Sequence, residues 1–281
     1  YHKRTNTVHI WDDQKGHIEV KNKPYAYRKS SYGKHVALDG KQVEKVYNPE
    51  GQEGLYEADI NPEMRTLIDL YTDSDEASVG HRTLFIDIEV DIASGFPTPE
   101  EAQNEVTSIA IYDEAGDQRF VWILDKDEMV DNVQKPGYEV VSCRDEHTLL
   151  SKFLYKYYEI QPTIITGWNI DFFDIPYLYN RMVKILGEKQ ARSLSPINDV
   201  IWLKHRNRYR ISGVSCLDYM ALYKNFTYSQ ESSYSLEAIS QKELGKGKMK
   251  YEGTLDDLMR NDIQGYIDYN MNDVDLVWEI D

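Results

Sequence analysis

Four acidic residues stand where they could share one task. Asp87 and Glu89 lie two apart in Leu84-Phe85-Ile86-Asp87-Ile88-Glu89-Val90, an apolar, β-branched run. Successive side chains of a strand alternate faces, so both carboxylates point one way while Ile86, Ile88 and Val90 point the other. Two like charges side by side on a buried strand repel each other and lose hydration. A divalent cation reverses that balance, because hard cations take carboxylate oxygen. Read blandly, the pair is two solvated acids on an edge strand. Asp174 closes Gly167-Trp168-Asn169-Ile170-Asp171-Phe172-Phe173-Asp174, between a short apolar run and a helical pattern. It is placed to cap that helix, and Asn169 suits a turn. Tyr269 and Asp273 are four apart on a helical pattern and project together.

The elements that must position these residues follow from periodicity. Strands are predicted over residues 84–90, 106–112, 119–124 and 163–166, with a turn at Glu114-Ala115-Gly116-Asp117. Helices are predicted over 145–160, over 175–186 before Gly187, over 235–244 and over 262–280. In the last, Ile263, Tyr266, Ile267, Val274 and Val277 form the packing stripe. This order predicts an α/β fold, a mixed sheet flanked by helices. Ahead of it, residues 7–11, 18–20 and 25–27 alternate as short strands, and Asn61-Pro62 opens a short helix. The polar run Ser74–Gly80 marks a boundary, giving a smaller β-rich α+β domain over 1–82 and the main domain over 83–281.

Charge adds a regional pattern. The net charge of −16 divides into −3 over residues 1–80, −11 over 81–150, +6 over 151–250 and −8 over 251–281. The acid excess excludes a polybasic nucleic-acid coat. Two cysteines exclude a disulfide framework, and no apolar run reaches the roughly 20 residues of a membrane span. Lys204-His205-Arg206-Asn207-Arg208-Tyr209-Arg210 is the densest basic stretch. Arg206 and Arg208 could grip phosphates, or the stretch could be a solvated hairpin. Phe96, Phe172 and Phe173 each admit a core-packing reading. The chain opens on Tyr1 rather than Met, so the reading expects a soluble, intracellular piece of something longer.

Asp87-Ile88-Glu89, Asn169 with Phe173-Asp174, and Tyr269-x-x-x-Asp273 resemble the three exonuclease motifs of family B DNA polymerases, which are DnaQ-like, ribonuclease H-fold 3′–5′ exonucleases. The likeness is to the T-even-like tailed-phage type. It extends to Gly213–Tyr219, Ser233–Glu237 and Gly247–Gly253, with weaker signs such as Tyr32-Gly33-Lys34 in the amino-terminal region. Tyr71-Thr72-Asp73-Ser74-Asp75 looks like the palm motif that binds polymerase metals. It lies ahead of the exonuclease motifs, and polar residues follow it, so it reads as a linker. The chain stops eight residues past Asp273, and palm, fingers and thumb are expected to be absent.

The resemblance implies a proofreading exonuclease that hydrolyses single-stranded 3′ ends by two-metal catalysis. Asp87, Glu89, Asp174 and Asp273 would hold two divalent cations, Mg²⁺ or Mn²⁺. Tyr269 would orient the attacking water, and Lys248 would offset phosphate charge unless it is a solvated loop lysine. Asn169, Phe172, Phe96, Arg206 and Arg208 would meet the nucleic acid. The implied partners are a DNA 3′ end and the remaining polymerase domains, in cis or as a separate chain, inside a phage-infected bacterial cell. Residues 1–47, net +5 with His2, His9, His17 and His35, suit contact with RNA or template. A non-catalytic single-strand-binding module is the other function class open to the sequence.

Overall fold

The computed structural model describes residues 1–12, 14–93, 95, 97–130, 133–135 and 137–281. The chain divides into two compact units, Tyr1–Ser78 and Val79–Asp281. The division falls four residues before the boundary expected at 82. Arg82 belongs to the second unit because its N–H donates to Thr163 Oγ1 at 2.9 Å and its carbonyl accepts from Thr163 N and Ile164 N.

In the first unit, Thr7–Asp12 and Gly16–Lys21 form a two-stranded antiparallel hairpin. A separate four-stranded sheet runs in the order His35–Val36, Gln42–Tyr47, Tyr25–Lys29, Leu55–Tyr56. The helix Pro62–Tyr71 begins as its sequence dictates, with the Asn61 side chain accepting from Met64 N and Pro62 at its first position. Tyr71 ends that helix and donates to Asp12, so the palm-like segment is a helix terminus followed by a linker.

The second unit is built on a seven-stranded mixed sheet. Its order is Val133–Lys135, Tyr138–Cys143, Gln118–Leu124, Val106–Asp113, Thr83–Val90, Ile164–Gly167, Ser215–Asp218. Thr83–Val90, Val106–Asp113 and Gln118–Leu124 form an antiparallel meander. Tyr138–Cys143 joins one side and Ile164–Gly167 the other, both parallel to their inner neighbours. The middle strand, Val106–Asp113, is buried along its whole length, as a strand covered on both faces must be.

The two faces carry different layers. Ile86, Ile88 and Val90 pack with Trp122, Phe153 and Tyr157 beneath the helices Glu146–Ile160 and Asp174–Ile185. Phe85, Ala110, Val121 and Ile123 pack on the opposite face against Tyr266, Ile267, Val274 and Val277 of the last helix, Ile263–Ile280. A buried ion pair ties the first layer: Glu146 accepts from Val106 N at 2.8 Å and from Arg181 Nε and Nη2 at 2.7 and 2.6 Å. Several elements escape the periodicity reading, each for a local reason. Among them, the strand Tyr138–Cys143 carries polar residues among its valines, and the helices Tyr219–Phe226 and Leu255–Asn261 are too short for a clear stripe.

Candidate active site

Asp87 and Glu89 lie on the same sheet face as Phe85, the face that the last helix covers. Opposite them in the antiparallel register stand Ala110 and Ser108, small residues that leave room for that helix. Asp273 comes down from the helix and is 1% exposed. Carboxylate oxygens of Asp87, Glu89 and Asp273 lie within 4.8 Å of one another. Asp273 is thus no surface acid, and Tyr269 is buried one turn before it.

Asp174 reaches the cluster by another route, and it is not the helix cap, the alternative reading of its position. The cap position belongs to Phe173, and Asp174 is the first helical residue. Its Oδ1 accepts from Ile88 N at 3.1 Å, the amide between Asp87 and Glu89. The carboxylate meets this sheet amide because the loop enters against the strand Thr83–Val90. Gly167 allows that approach, since a Cβ there would lie 2.3 Å from Ile86 O. Asn169 makes the turn with φ of +65°, and its carbonyl accepts from Phe172 N and Phe173 N.

The cluster is electrostatically loaded. Burial first, then the charges of Asp273, Asp174 and Glu89, push the Asp87 carboxyl well above the usual carboxylate range. Burial and Asp273 push Glu89 up to about 8. Burial pushes Asp174 up to about 7 against the lowering pull of the Ile88 amide. Asp273 is also raised by burial, opposed by Lys248. Lys248 Nζ donates to Asp273 Oδ2 at 2.5 Å and to Tyr269 Oη at 3.1 Å. Burial disfavours its charge, but Asp273 and Asp87 outweigh burial and raise its pKa. The lysine is therefore part of the site and not a solvated loop residue. Its backbone is gripped as well, because Lys248 N donates to Glu237 Oε2 at 2.6 Å and a Cβ on Gly247 would collide with that carboxylate. Tyr269 is raised by burial and then by Asp273, which keeps its phenol protonated.

The remaining candidates scatter. Phe172 is 53% exposed on the loop, whereas Phe173 packs against the core and stacks on Tyr177. The basic stretch is a hairpin, Val200–Leu203 with Arg208–Ile211. Arg206 is exposed in its turn, but Arg208 is ion-paired with buried Asp171 and is not a free phosphate ligand in this conformation. Phe96 lies outside the described residues.

One residue of the site is absent from the sequence reading. Asn270 is fully buried, donates from Nδ2 to Asp87 Oδ2 at 2.7 Å, and accepts from Ser108 Oγ at 2.7 Å. It holds Asp87 in place from behind. An amide inside the stripe Tyr266, Ile267, Val274, Val277 is the signal that could have found it, because a buried amide needs partners.

Asp273 Oδ1 is buried without a hydrogen-bond partner among the described residues. A clustered, destabilised set of carboxylates with one orphaned oxygen is a donor set suited to a hard divalent cation.

Comparison with known proteins points to one family. Residues 45–239 match the family described as DNA polymerase family B, exonuclease domain. The DNA-directed DNA polymerase of Escherichia phage RB69 is 35% identical over 227 residues, covering 71% of this chain and 25% of that protein. That of Enterobacteria phage T4 is 34% identical over 223 residues, covering 69% and 25%. DNA polymerase 1 of Sulfurisphaera ohwakuensis is 28% identical over 206 residues, covering 69% and 22%. The chain thus spans about a quarter of the length of the phage relatives. With its acidic cluster on a mixed sheet and more than half its length matched, the chain belongs to the exonuclease-domain family of the family B DNA polymerases.

Proposed function

We propose that this chain is the proofreading region of a family B replicative DNA polymerase and removes nucleoside monophosphates from unpaired 3′ ends. The observation that supports it most is the convergence of Asp87, Glu89 and Asp273, with Asp174 tethered to the amide between the first two. Asp87, Glu89 and Asp273 would hold one divalent cation, and Asp87 with Asp174 a second, Mg²⁺ or Mn²⁺ by the hardness of the ligands. When bound, such a pair supplies charge neutralisation at the scissile phosphate, an acidified water and a stabilised 3′ leaving oxygen.

The other tasks fall to the chain's own side chains. Tyr269, protonated, donates a hydrogen bond that orients the attacking water. Lys248 holds Asp273 and would set its charge against a phosphate oxygen of the substrate. Asn270 fixes the rotamer of Asp87. Phe172, exposed beside Asn169, is available to stack on the last bases of a single strand. The partners are an unpaired DNA 3′ end and the other polymerase domains, and the setting is the infected host cell. Residues 1–78 would be part of the polymerase's amino-terminal domain, with the basic 1–47 segment facing template or RNA.

The test is digestion of a 3′-mismatched primer in Mg²⁺ and in EDTA. A ladder of single-nucleotide steps is expected in Mg²⁺ alone, abolished in Asp87→Ala and Asp273→Ala. Equal digestion by both variants would overturn the assignment. Metal-independent binding with no release would favour the non-catalytic module.

A further inference from the structure

The hairpin of the first unit carries a second cluster that the exonuclease reading does not use. Its two strands run in the register His9↔Glu19 and Trp11↔His17. Cross-strand partners share a face, so His9, Trp11, His17 and Glu19 stand together. Val8, Ile10, Ile18 and Val20 take the other face. His9 Nδ1 lies 3.0 Å from His17 Nε2 and 3.8 Å from Glu19 Oε1. All three ligand atoms lie within 4.8 Å of one another. Two imidazole nitrogens and a carboxylate at this separation match a four-coordinate zinc ion, whose bonds of about 2.0–2.1 Å set ligand–ligand edges of about 3.3 Å. The observed spacings bracket that edge. The donors are nitrogen-rich, which favours a borderline transition ion over Mg²⁺ or Ca²⁺. Trp11 stacks on the His17 ring at 4.8 Å between centroids and backs the site on one side.

We propose that His9, His17 and Glu19 bind one divalent transition ion, Zn²⁺ being the best match, with the fourth position left to solvent. The ion clips the two strands together, since His9 comes from one and His17 and Glu19 from the other. The clip adds to what already holds the hairpin, the buried Val8 and the Asp12–Tyr71 bond: among the described residues this sheet has two strands, and two strands by themselves are marginal in water. An ion that binds only the folded register adds its binding free energy to that register.

The experiment titrates the whole chain with CoCl₂ under excess Mg²⁺, which occupies the acidic cluster of the second unit. One equivalent should develop the visible absorption of a four-coordinate ion, and ZnCl₂ should displace it. His17→Ala and Glu19→Gln alter exposed side chains, so neither threatens the fold. Each should weaken Co²⁺ binding by at least about tenfold, the loss that even an outer-sphere change brings. Asp273→Asn should keep the absorption in full. No four-coordinate absorption, absorption unchanged in both hairpin variants, or absorption lost only in Asp273→Asn would each overturn the proposal. The last result would also leave the exonuclease reading intact.

Discussion

Asn270→Ala separates a residue that positions the chemistry from one that merely fills the core. The substitution deletes two hydrogen bonds at a fully buried position, one to the Asp87 carboxylate and one from the Ser108 hydroxyl, both 2.7 Å long. Without metal the Asp87 carboxyl holds its proton, so both bonds join neutral groups and each contributes about 0.5–1.5 kcal/mol. Urea unfolding in EDTA should therefore show a loss of about 1–3 kcal/mol. Activity should fall separately, because Asp87 is freed to turn away from the two ions proposed to share it. Loss of an outer-sphere partner typically costs about 10–100-fold. The fall should be largest at limiting Mg²⁺ and shrink as Mg²⁺ saturates, since the ion can itself restore the rotamer. Asn270→Asp keeps the size and the bond from Ser108 but sets a further carboxylate against Asp87, so its metal-free stability should drop further than that of the alanine variant. Reduced stability with an unchanged Mg²⁺ dependence of the digestion rate would refute the positioning role. Unchanged stability would refute the hydrogen-bond account itself.

Other outcomes follow from the same geometry. Glu89 and Asp174 are pushed up to about 8 and about 7, while unfolded carboxylates titrate near about 4. The folded chain then keeps protons that the unfolded chain has released, so in EDTA this part of the stability is full below about pH 4 and is lost as the pH rises through about 7 and 8. Mg²⁺ should restore it at the alkaline end, and a urea midpoint that climbs with pH in EDTA would contradict the assignment. Glu146→Ala leaves Arg181 charged and buried without its partner, and should cost about 3–5 kcal/mol in urea unfolding; a cost below about 1 kcal/mol would mean that the pair is solvated. Arg206→Ser should lower the salt dependence of single-strand binding by about one phosphate contact, whereas Arg208→Ser should leave that slope alone because its guanidinium serves Asp171.

The site was legible where one element carries the whole signal. Asp87 and Glu89 show through strand alternation, and Tyr269 with Asp273 through a helical interval, because each pair needs only local geometry. Asp174 was legible as an acid at a helix start but not in its bonding. Its acceptor role depends on Ile88, 86 positions away in the sequence, and on a glycine whose missing Cβ lets two backbones meet. Lys248 and Asn270 were harder for the same reason. Lysine in a Gly-Lys-Met-Lys run looks solvated until Glu237 is seen fixing its backbone, and an asparagine becomes informative only when its stripe is known to be buried. Local pattern reveals what an element offers; long-range register decides which offers meet.

The charge of the site completes the argument for cations. Asp87, Glu89, Asp174 and Asp273, when ionised, carry four negative charges, and among the described residues Lys248 is the one basic side chain that bonds directly to any of them. One ammonium cannot offset four carboxylates in a buried setting: burial raises all four pKa values, and the neighbouring carboxylates raise those of Asp87 and Glu89 further. Two divalent cations would turn a deficit of three into an excess of one, and a phosphodiester brings the single negative charge that cancels it. The assembled set of protein, metals and scissile phosphate is neutral, whereas the protein alone, or protein with metals alone, is not. That balance favours binding metal and substrate together, and it explains how a chain with a net charge of −16 can be suited to a polyanion.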